Sequence, residues 1–327
     1  MKQISILVPK GAVALSCIEG PFILFTNANN FLEGMGKPRL FNVQTVGLTK
    51  DPVYYDRLFS VKPDVSIDEA EKTNLVIIPA VNGDMENVIE MNKDFFPWIE
   101  KQYKQGAEIA SLCVGSFLLA STGLLNGKAC STHWSRANDF RKMFPEVNLV
   151  SDKIITDDNG IYSSGGANSF WNLLMYLLEK YTDRETAILA SKYYAIEIDR
   201  HSQSPFTIFN GQKEHEDEPV KKAQEFIENN FKSKLTVDNL ASMLFLSRRN
   251  LERRFKKATS NTIIEYIQRV KIEAAKKSIE TSRKNINEIM FDVGYSDSKA
   301  FRTVFKKTTG LTPLEYRNKY NSEAVRL

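Results

Sequence analysis

Over its first 180 residues the chain alternates short apolar runs with stretches of helical periodicity. The runs of strand length are ISILV, NVQTVGL, LVIIP, EIASLC and GIYSSGG, at residues 4–8, 42–48, 75–79, 108–113 and 160–166. Runs that are apolar on both faces are typical of parallel strands covered by helices on each side. The pattern therefore predicts an α/β domain with a doubly wound parallel sheet, whose ligand crevice lies at the carboxyl ends of the strands.

From residue 219 onward the periodicity is helical, and one phrase occurs twice. FKKATSNTIIEY begins at Phe255, and FKKTTGLTPLEY begins fifty residues later at Phe305. A short helical pattern and a turn precede each copy, and Gly294 suits the second turn. The predicted N-caps of these helices are Thr236, Ser247, Asn285 and Asp297 or Ser298. The sequence thus predicts an all-α C-terminal domain with two helix-turn-helix units.

The second helix of each unit has an apolar side and a basic side. Leu251, Phe255 and Ala258 share the apolar side of the first, as Phe301 and Phe305 do in the second. The candidate DNA-binding residues on and beside the basic sides are Arg248, Arg249, Asn250, Glu252, Arg253, Lys256 and Lys257 in the first helix and Lys299, Arg302, Thr303 and Lys306 in the second. Arg on such a face can give two hydrogen bonds to guanine in the major groove, whereas Lys more often neutralises phosphate. The alternative interpretation is a solvated charged face.

Between the two units, residues 262–280 form one amphipathic pattern without Gly or Pro. A helix of that length extends about 28 Å. It can hold two reading helices near one turn of B-DNA apart, which is about 34 Å. The duplication therefore predicts that a single chain occupies two successive major-groove segments on one face of the duplex.

Charge divides the chain in the same place. Residues 1–213 contain 21 Lys and Arg against 24 Asp and Glu, whereas residues 219–327 contain 23 against 12. Such a concentration of positive charge is typical of a segment that binds a polyanion. The acidic stretch KEHEDEP between them predicts a linker. The predicted organisation is a domain at residues 1–200, a linker at 201–218 and a domain at 219–320.

Composition excludes several other classes of protein. The longest apolar run, at Phe170–Tyr181, is too short and too polar to cross a bilayer, and no signal-peptide cleavage pattern follows the N-terminal apolar run. We therefore expect a cytoplasmic protein without a membrane partner. Cys17, Cys113 and Cys130 are widely spaced and form no C-x-x-C pair, so we predict no disulfide framework, no metal site and no cofactor.

Cys113 lies where a strand pattern changes to a helix pattern. A side chain at such a turn is exposed beside free backbone N–H groups, an arrangement that can lower the pKa of a thiol and bind an anion. The alternative is a small buried cysteine, which is a common core residue. The spacing alone does not decide between these two interpretations.

Residues 220–320 resemble the AraC/XylS family of transcription regulators. The resemblance rests on LASMLFLSRRNLERRFKKATS, on INEIMFDVGYSDSKAFRTVFKKTTGLTPLEYR and on the late pair Gly310 and Pro313. It implies that the first unit reads DNA through Arg249, Glu252 and Arg253. Met290 departs from the small residue that the family usually has there.

Most of residues 3–200 resemble the ThiJ/PfpI branch of the class I glutamine amidotransferase-like superfamily, in the GlxA-type form fused to AraC-type tails. The resemblance rests on GAEIASLCVGSFLLASTGLLNGKACSTHW. It implies a flavodoxin-like fold and a nucleophile-elbow position at Cys113, followed here by Val114 instead of the His of PfpI-type hydrolases. It suggests Cys113 as the candidate elbow cysteine. The effector-binding residues that it suggests are Cys113, His133, Glu19, Gly165 and Gly166. The alternative interpretation of His133 is a structural role. The alternative interpretation of Gly165 and Gly166 is that they form a tight turn.

The sequence therefore predicts a sequence-specific regulator of transcription that is not an enzyme. Its expected partners are double-stranded DNA, an unidentified small-molecule effector and a second copy of the chain, with RNA polymerase as a further candidate. One alternative is a cysteine-dependent amidase or hydratase with a DNA-binding tail. Another is a dimerisation scaffold in which Cys113 senses oxidants.

Overall fold

A computed structural model describes residues 1–55, 59–198 and 202–321 of the chain. The chain divides into a first unit, Met1–Gln203, and a second unit that begins at Ser204. The predicted domain boundary between residues 200 and 201 lies outside the described residues. No helix in the described ranges is both long enough and apolar enough to span a bilayer.

The strands belong to the first unit. They are β1 (Lys2–Leu7), β2 (Ala12–Val13), β3 (Phe41–Gly47), β4 (Val53–Tyr55), β5 (Phe59–Val61), β6 (Val65–Ser66), β7 (Leu75–Ile78), β8 (Val81–Asn82), β9 (Glu108–Leu112), β10 (Ala129–Cys130), β11 (Asn148–Leu149), β12 (Ile155–Asp158) and β13 (Ile161–Ser164). Its α-helices are α1 (Ser16–Gly34), α2 (Met85–Asn92), α3 (Phe96–Lys104), α4 (Ser116–Ser121), α5 (Ala137–Met143), α6 (Phe170–Tyr181) and α7 (Arg184–Tyr193).

The main sheet has the strand order β12-β13-β9-β7-β1-β3-β6. Neighbouring strands are parallel except for β12 and β13, which are antiparallel. The five apolar runs of the sequence correspond to β1, β3, β7, β9 and β13, which are consecutive neighbours in this sheet. The predicted doubly wound α/β class is therefore confirmed. Residues along β7 are buried on both faces, which explains why LVII carries no alternation of polar positions.

The second unit is helical. Its helices are α8 (Glu218–Asn230), α9 (Val237–Met243), α10 (Arg248–Thr259), α11 (Ile263–Thr281), α12 (Ile286–Asp292), α13 (Ser298–Thr309) and α14 (Pro313–Tyr320). The predicted N-caps are confirmed, because the side chains of Thr236, Ser247, Asn285 and Asp297 each accept a hydrogen bond from a backbone N–H three residues later. Helices α9 and α10 form the first helix-turn-helix, and α12 and α13 form the second.

Helix α11 belongs to two separate hydrophobic cores. Its first half buries Ile263 and Tyr266 in the core of the first helix-turn-helix. Its second half buries Ile272 and Ile279 in the core of the second. Because each half is packed against a different helix-turn-helix, α11 fixes the spacing between α10 and α13, as the amphipathic pattern predicts.

The repeated phrase builds the same corner after each reading helix. Thr262 and Thr312 are N-caps in capping boxes, each with the Glu three residues later. Phe255 meets the ring of Tyr266 edge to face at 5.3 Å and 84°, and the equivalent pair, Phe305 and Tyr316, meets at 5.5 Å and 83°. The identities between the two copies are therefore mainly structural, apart from the two lysines in each.

Candidate DNA-binding surface and ligand crevice

Helix α10 separates apolar from basic side chains because its apolar positions recur with the period of the helix. Leu251 and Phe255 are fully buried in the core of the first helix-turn-helix. The exposed candidates on the other side are Arg248, Arg249, Glu252, Arg253, Lys256 and Lys257, with Asn250 half-buried among them. The structure therefore places every candidate from the first unit at the surface of one helix.

Hydrogen bonds already orient part of this surface. Arg248 lies 3.2 Å from Asp238 and 3.1 Å from Glu252, so its charge is partly neutralised. The guanidinium of Arg253 donates to the Asn250 side-chain oxygen at 3.2 Å. Arg249 makes no hydrogen bond or ion pair within the described part of the chain, which leaves its guanidinium available to a ligand.

Helix α13 repeats this arrangement in the second helix-turn-helix. Phe301 and Phe305 are fully buried in its core. Lys299, Arg302, Thr303 and Lys306 are exposed on the other side. Among the described residues, none of these four side chains makes a hydrogen bond, and the charge of Lys306 acts on Glu315. Helices α10 and α13 therefore both bury an apolar side and expose a basic one, and α11 lies between them in the chain.

Arg254, on α10, is not among the predicted DNA-binding residues and instead pairs with Asp217. It is bidentate with Asp217, with Nε 2.9 Å from one carboxylate oxygen and a terminal nitrogen 2.9 Å from the other. Asp217 also caps α8 by accepting from Val220 N at 3.2 Å. Burial alone raises the pKa of Asp217, but the hydrogen bonds from Arg254 and Val220 outweigh it, and the pKa lies below its ordinary value.

The segment that begins the second unit, Ser204–Asp217, packs on α11. The ring of Phe209 meets Tyr266 at 5.1 Å, and the guanidinium of Arg269 lies 5.5 Å from the Phe209 ring centre. The Phe209 N–H donates to Glu273 at 3.1 Å. The residues of the predicted linker that lie in this segment are therefore attached to the helical unit.

In the first unit, Cys113 occupies a sharp turn between β9 and α4. Its backbone φ is +54°, in the left-handed region that few residues other than glycine adopt. The Cys113 N–H donates to Ser164 Oγ at 3.2 Å. Gly115 completes the turn, because a Cβ there would lie 2.6 Å from the carbonyl oxygens of Ile78 and Pro79. The predicted strand-to-helix geometry is confirmed.

Of the two interpretations of Cys113, the structure favours the small buried cysteine over a thiol of lowered pKa. Cys113 is 6% exposed. Burial raises its pKa to about 12, the neighbouring Cys17 adds to the rise, and the Val114 N–H opposes it. Since the thiolate is the nucleophilic form, a buried thiol with this pKa is poorly suited to covalent catalysis.

Cys17, on α1, interacts electrostatically with Cys113. Both thiols are buried and free, and burial raises the pKa of Cys17 to about 11. Glu19, two residues further along α1, is exposed. The structure therefore gathers Cys17 and Cys113 but leaves Glu19 at the surface, because the positions that α1 buries here are Cys17, Ile18 and Gly20.

His133 is held by its own turn. Its Nδ1 accepts from Ser135 N–H at 3.2 Å and lies 2.7 Å from Ser135 Oγ. This places the proton of the neutral ring on Nε2. Burial and then the charge of Arg136 lower the pKa of His133. The hydroxyl of the preceding residue, Thr132, donates to the Cys113 carbonyl at 3.4 Å. The residue next to His133 in the chain is therefore in contact with the elbow.

Gly165 and Gly166 follow β13 at the same edge of the sheet. Ser164, which accepts from the Cys113 N–H, directly precedes them. The space beside Gly165 holds the side chain of Gln203, whose Nε2 would lie 2.3 Å from a Cβ at Gly165. Gln203 was missed from the sequence, because a single glutamine in a polar stretch gives no periodic or motif signal.

Comparisons with known proteins match both units. Residues 32–180 match the DJ-1/PfpI family, and residues 240–319 match a helix-turn-helix domain. The HTH-type transcriptional regulator GbdR of Pseudomonas aeruginosa is 24% identical over 289 residues, which cover 85% of this chain and 75% of GbdR. The HTH-type transcriptional regulator GlxA of Rhizobium meliloti is 22% identical over 218 residues, which cover 66% of this chain and 67% of GlxA.

A solved structure supports the fold of the first unit. The crystal structure of a putative transcriptional regulator protein from Vibrio parahaemolyticus superposes with a TM-score of 0.53 and 23% identity, covering 59% of this chain and 98% of that one. The combination recognised in the sequence, a DJ-1/PfpI domain with an AraC-type helix-turn-helix, is confirmed.

Proposed function

We propose that this chain, a DNA-binding transcription regulator in which a DJ-1/PfpI domain precedes an AraC-type helix-turn-helix domain, reads DNA with α10 and α13 and binds a small-molecule effector in its first unit without converting it. The observation that carries the proposal is the pair of exposed basic faces joined by one rigid helix. Helix α11 has 19 residues. Its length, about 28 Å, suits two reading helices in successive major grooves.

The residues divide by chemistry into base readers and phosphate contacts. Arg249 and Arg253 lie on the outer face of α10 and have the bidentate geometry that guanine accepts. The lysines on the same surfaces supply point charges for phosphate. The full proposed DNA-binding set is Arg248, Arg249, Asn250, Glu252, Arg253, Lys256, Lys257, Lys299, Arg302, Thr303 and Lys306.

Binding without turnover is favoured by the state of the elbow. The Cys113 thiol is buried, and its pKa is raised to about 12. Among the described residues, no hydrogen bond joins the Cys113 thiol to His133, whose Nδ1 accepts from Ser135, or to Glu19, which is exposed. We propose that Cys113, His133, Gly165 and Gly166 shape an effector crevice. A homodimer and contact with RNA polymerase belong to the same proposal on resemblance alone.

Enrichment of random-sequence duplexes on the full chain tests the function. We expect a selected sequence with two conserved segments about one helical turn apart. The double variant Arg249→Ala, Arg253→Ala should lose one of the two conserved segments and keep the other, while Lys101→Ala, at an exposed basic residue of the first unit, should keep both. Failure of the unaltered chain to enrich any sequence would refute the proposal.

A further inference from the structure

The side-chain amide of Gln203 is buried in the first unit. Gln203 is 1% exposed. Its Nε2 donates to Thr132 O at 3.0 Å, to Ser151 O at 2.8 Å and to Lys153 O at 3.3 Å. Its Oε1 accepts from Trp134 N–H at 3.3 Å. We call these four backbone groups the amide cradle.

The cradle selects for a particular chemical group. Three carbonyl oxygens require a donor with more than one N–H, and the Trp134 N–H requires an acceptor. A primary carboxamide supplies both. A guanidinium or ammonium group would leave the Trp134 N–H without an acceptor, and a carboxylate would face the three carbonyls with no donor. Unpaired buried groups of this kind cost free energy, so the cradle discriminates against them.

Glycines make the space for this amide. A Cβ at Gly165 would lie 2.3 Å from Gln203 Nε2, so any other residue there would exclude the amide. Gly166, with φ of +82°, turns the chain away, and a Cβ there would lie 3.7 Å from Gln203 Oε1. The glycine pair that the sequence suggests as a ligand contact therefore contacts a group of the chain itself.

The cradle adjoins the elbow. Thr132 contributes its carbonyl to the Gln203 amide and its hydroxyl to the Cys113 carbonyl at 3.4 Å. The cradle therefore adjoins the crevice proposed for the effector and shares Gly165 and Gly166 with it.

Gln203 also stands at the end of the first unit. Its N–H donates to Asp152 O at 2.9 Å, and Ser202 forms an antiparallel bridge with Lys153. One peptide bond separates Gln203 from Ser204, where the second unit begins. Release of the amide from the cradle would therefore loosen the residues that lead directly into the helical unit.

We propose that the amide cradle is a carboxamide-binding site that the chain fills with its own Gln203, and that an effector carrying a primary carboxamide regulates the protein by displacing this internal ligand. The proposal rests on the effector-binding function proposed above. Because the tethered amide has a high effective concentration, a free effector needs further contacts in the crevice to compete with it. Such a coupling links effector binding to DNA binding.

The variant Gln203→Ala in the full chain tests the cradle. Acetamide has the size of the group removed, so we expect it to raise the melting temperature of Gln203→Ala in a dose-dependent manner. Acetate and N,N-dimethylacetamide, which lack the donors, should not. Gln105→Ala, which removes an exposed glutamine, is the control and should not respond. A Gln203→Ala protein that responds to all three compounds equally, or to none, would overturn the proposal.

Two further measurements address regulation and folding. The affinity of Gln203→Ala for the selected DNA should differ from that of the unaltered chain by about fivefold or more. An unchanged affinity for DNA would refute the proposal that displacement of Gln203 regulates DNA binding. If no DNA sequence were selected at all, the acetamide response would still test the cradle. If Gln203→Ala fails to fold, the unaltered chain still tests displacement. Acetamide in large excess should speed hydrogen exchange of the Gln203 backbone N–H. Unchanged exchange would contradict displacement of the amide.

Discussion

Phe245 occupies in the first helix-turn-helix the position that Gly294 occupies in the second. Each follows the C-cap of the unit's first helix, and their φ angles are +54° and +77°. The turn requires a left-handed residue at this point in both units. Glycine adopts that conformation without strain, whereas phenylalanine does not. The Phe245 side chain is 96% exposed, so no packing compensates for the strain.

Phe245→Gly should therefore stabilise the helical unit, by about 1 kcal/mol after allowing for the greater freedom of glycine in the unfolded chain. Urea unfolding followed by circular dichroism measures the change. Tryptophan fluorescence is an internal control, because Trp98, Trp134 and Trp171 all lie in the first unit. A destabilised helical transition would show that the Phe245 side chain makes a stabilising contact in the folded chain.

Gly294→Ala should have the opposite effect. A Cβ at Gly294 would lie 2.2 Å from the backbone oxygen of Lys232, and the positive φ adds strain. We expect a loss of roughly 2 kcal/mol or more in the free energy of unfolding of the helical unit. The same two-probe urea experiment detects it, and equal stability of Gly294→Ala and the unaltered chain would contradict the structure of this turn.

The ion pair of Asp217 and Arg254 should make stability depend on pH. The pKa of Asp217 is lowered in the folded chain, so its contribution is fully present above the ordinary aspartate pKa of about 3.9 and is lost as the pH falls through the lower folded value. Asp217→Asn retains a capping oxygen but not the charge. We expect it to be less stable by about 1 kcal/mol near neutral pH and equally stable in strong acid.

A constant difference between Asp217→Asn and the unaltered chain at all pH values would show that the charge of Asp217 is not responsible. Asp238→Asn serves as the matched control, because Asp238 pairs with Arg248 at the surface. Exposed pairs contribute little, so this control should leave stability nearly unchanged at every pH.

Two substitutions on α10 should separate base reading from phosphate contact. Arg253→Ala should cost about 1–3 kcal/mol on the selected sequence and relax its base preference. Lys257→Ala should weaken binding to all sequences alike and reduce the salt slope by about one. Fluorescence anisotropy on selected and scrambled duplexes over a range of salt concentrations measures both. Equal losses on the two duplexes for Arg253→Ala would contradict base reading.

Cys113 should be unreactive in the folded chain. With a pKa raised to about 12, its thiolate is scarce near neutral pH. We expect iodoacetamide to label it roughly a hundredfold or more slowly than in urea, as followed by mass spectrometry. Peroxide should leave DNA binding unchanged in both the unaltered chain and Cys113→Ser. Rapid labelling, or peroxide sensitivity that Cys113→Ser abolishes, would favour the oxidant-sensor alternative instead.

Local patterns in the sequence predict most of the fold. The strands β1, β3, β7, β9 and β13 follow from apolar runs, because a buried parallel strand needs nothing else to be recognised. The caps of α9, α10, α12 and α13 follow from residues that accept a backbone hydrogen bond. Strand β12 is missed because ITDD, at the edge of the sheet, is half polar.

The candidate site is predicted less completely because its contacts are remote in sequence. Cys17 interacts with Cys113 across 96 positions, and Gln203 contacts Thr132 across 71. No local periodicity reports such pairs. The left-handed backbone of Phe245 could not be predicted either, because the sequence pattern does not show which residue of the turn has a positive φ.

Hydroxyl-radical footprinting of the full chain on its selected duplex shows whether α10 and α13 bind the same DNA molecule. If α10 and α13 read successive major grooves, protection should appear as two patches about one helical turn apart on the same face of the duplex. Arg249→Ala with Arg253→Ala should remove only one patch, and Lys299→Ala with Arg302→Ala should remove only the other. A single patch, or loss of both patches in either double variant, would contradict two independent reading helices held apart by α11.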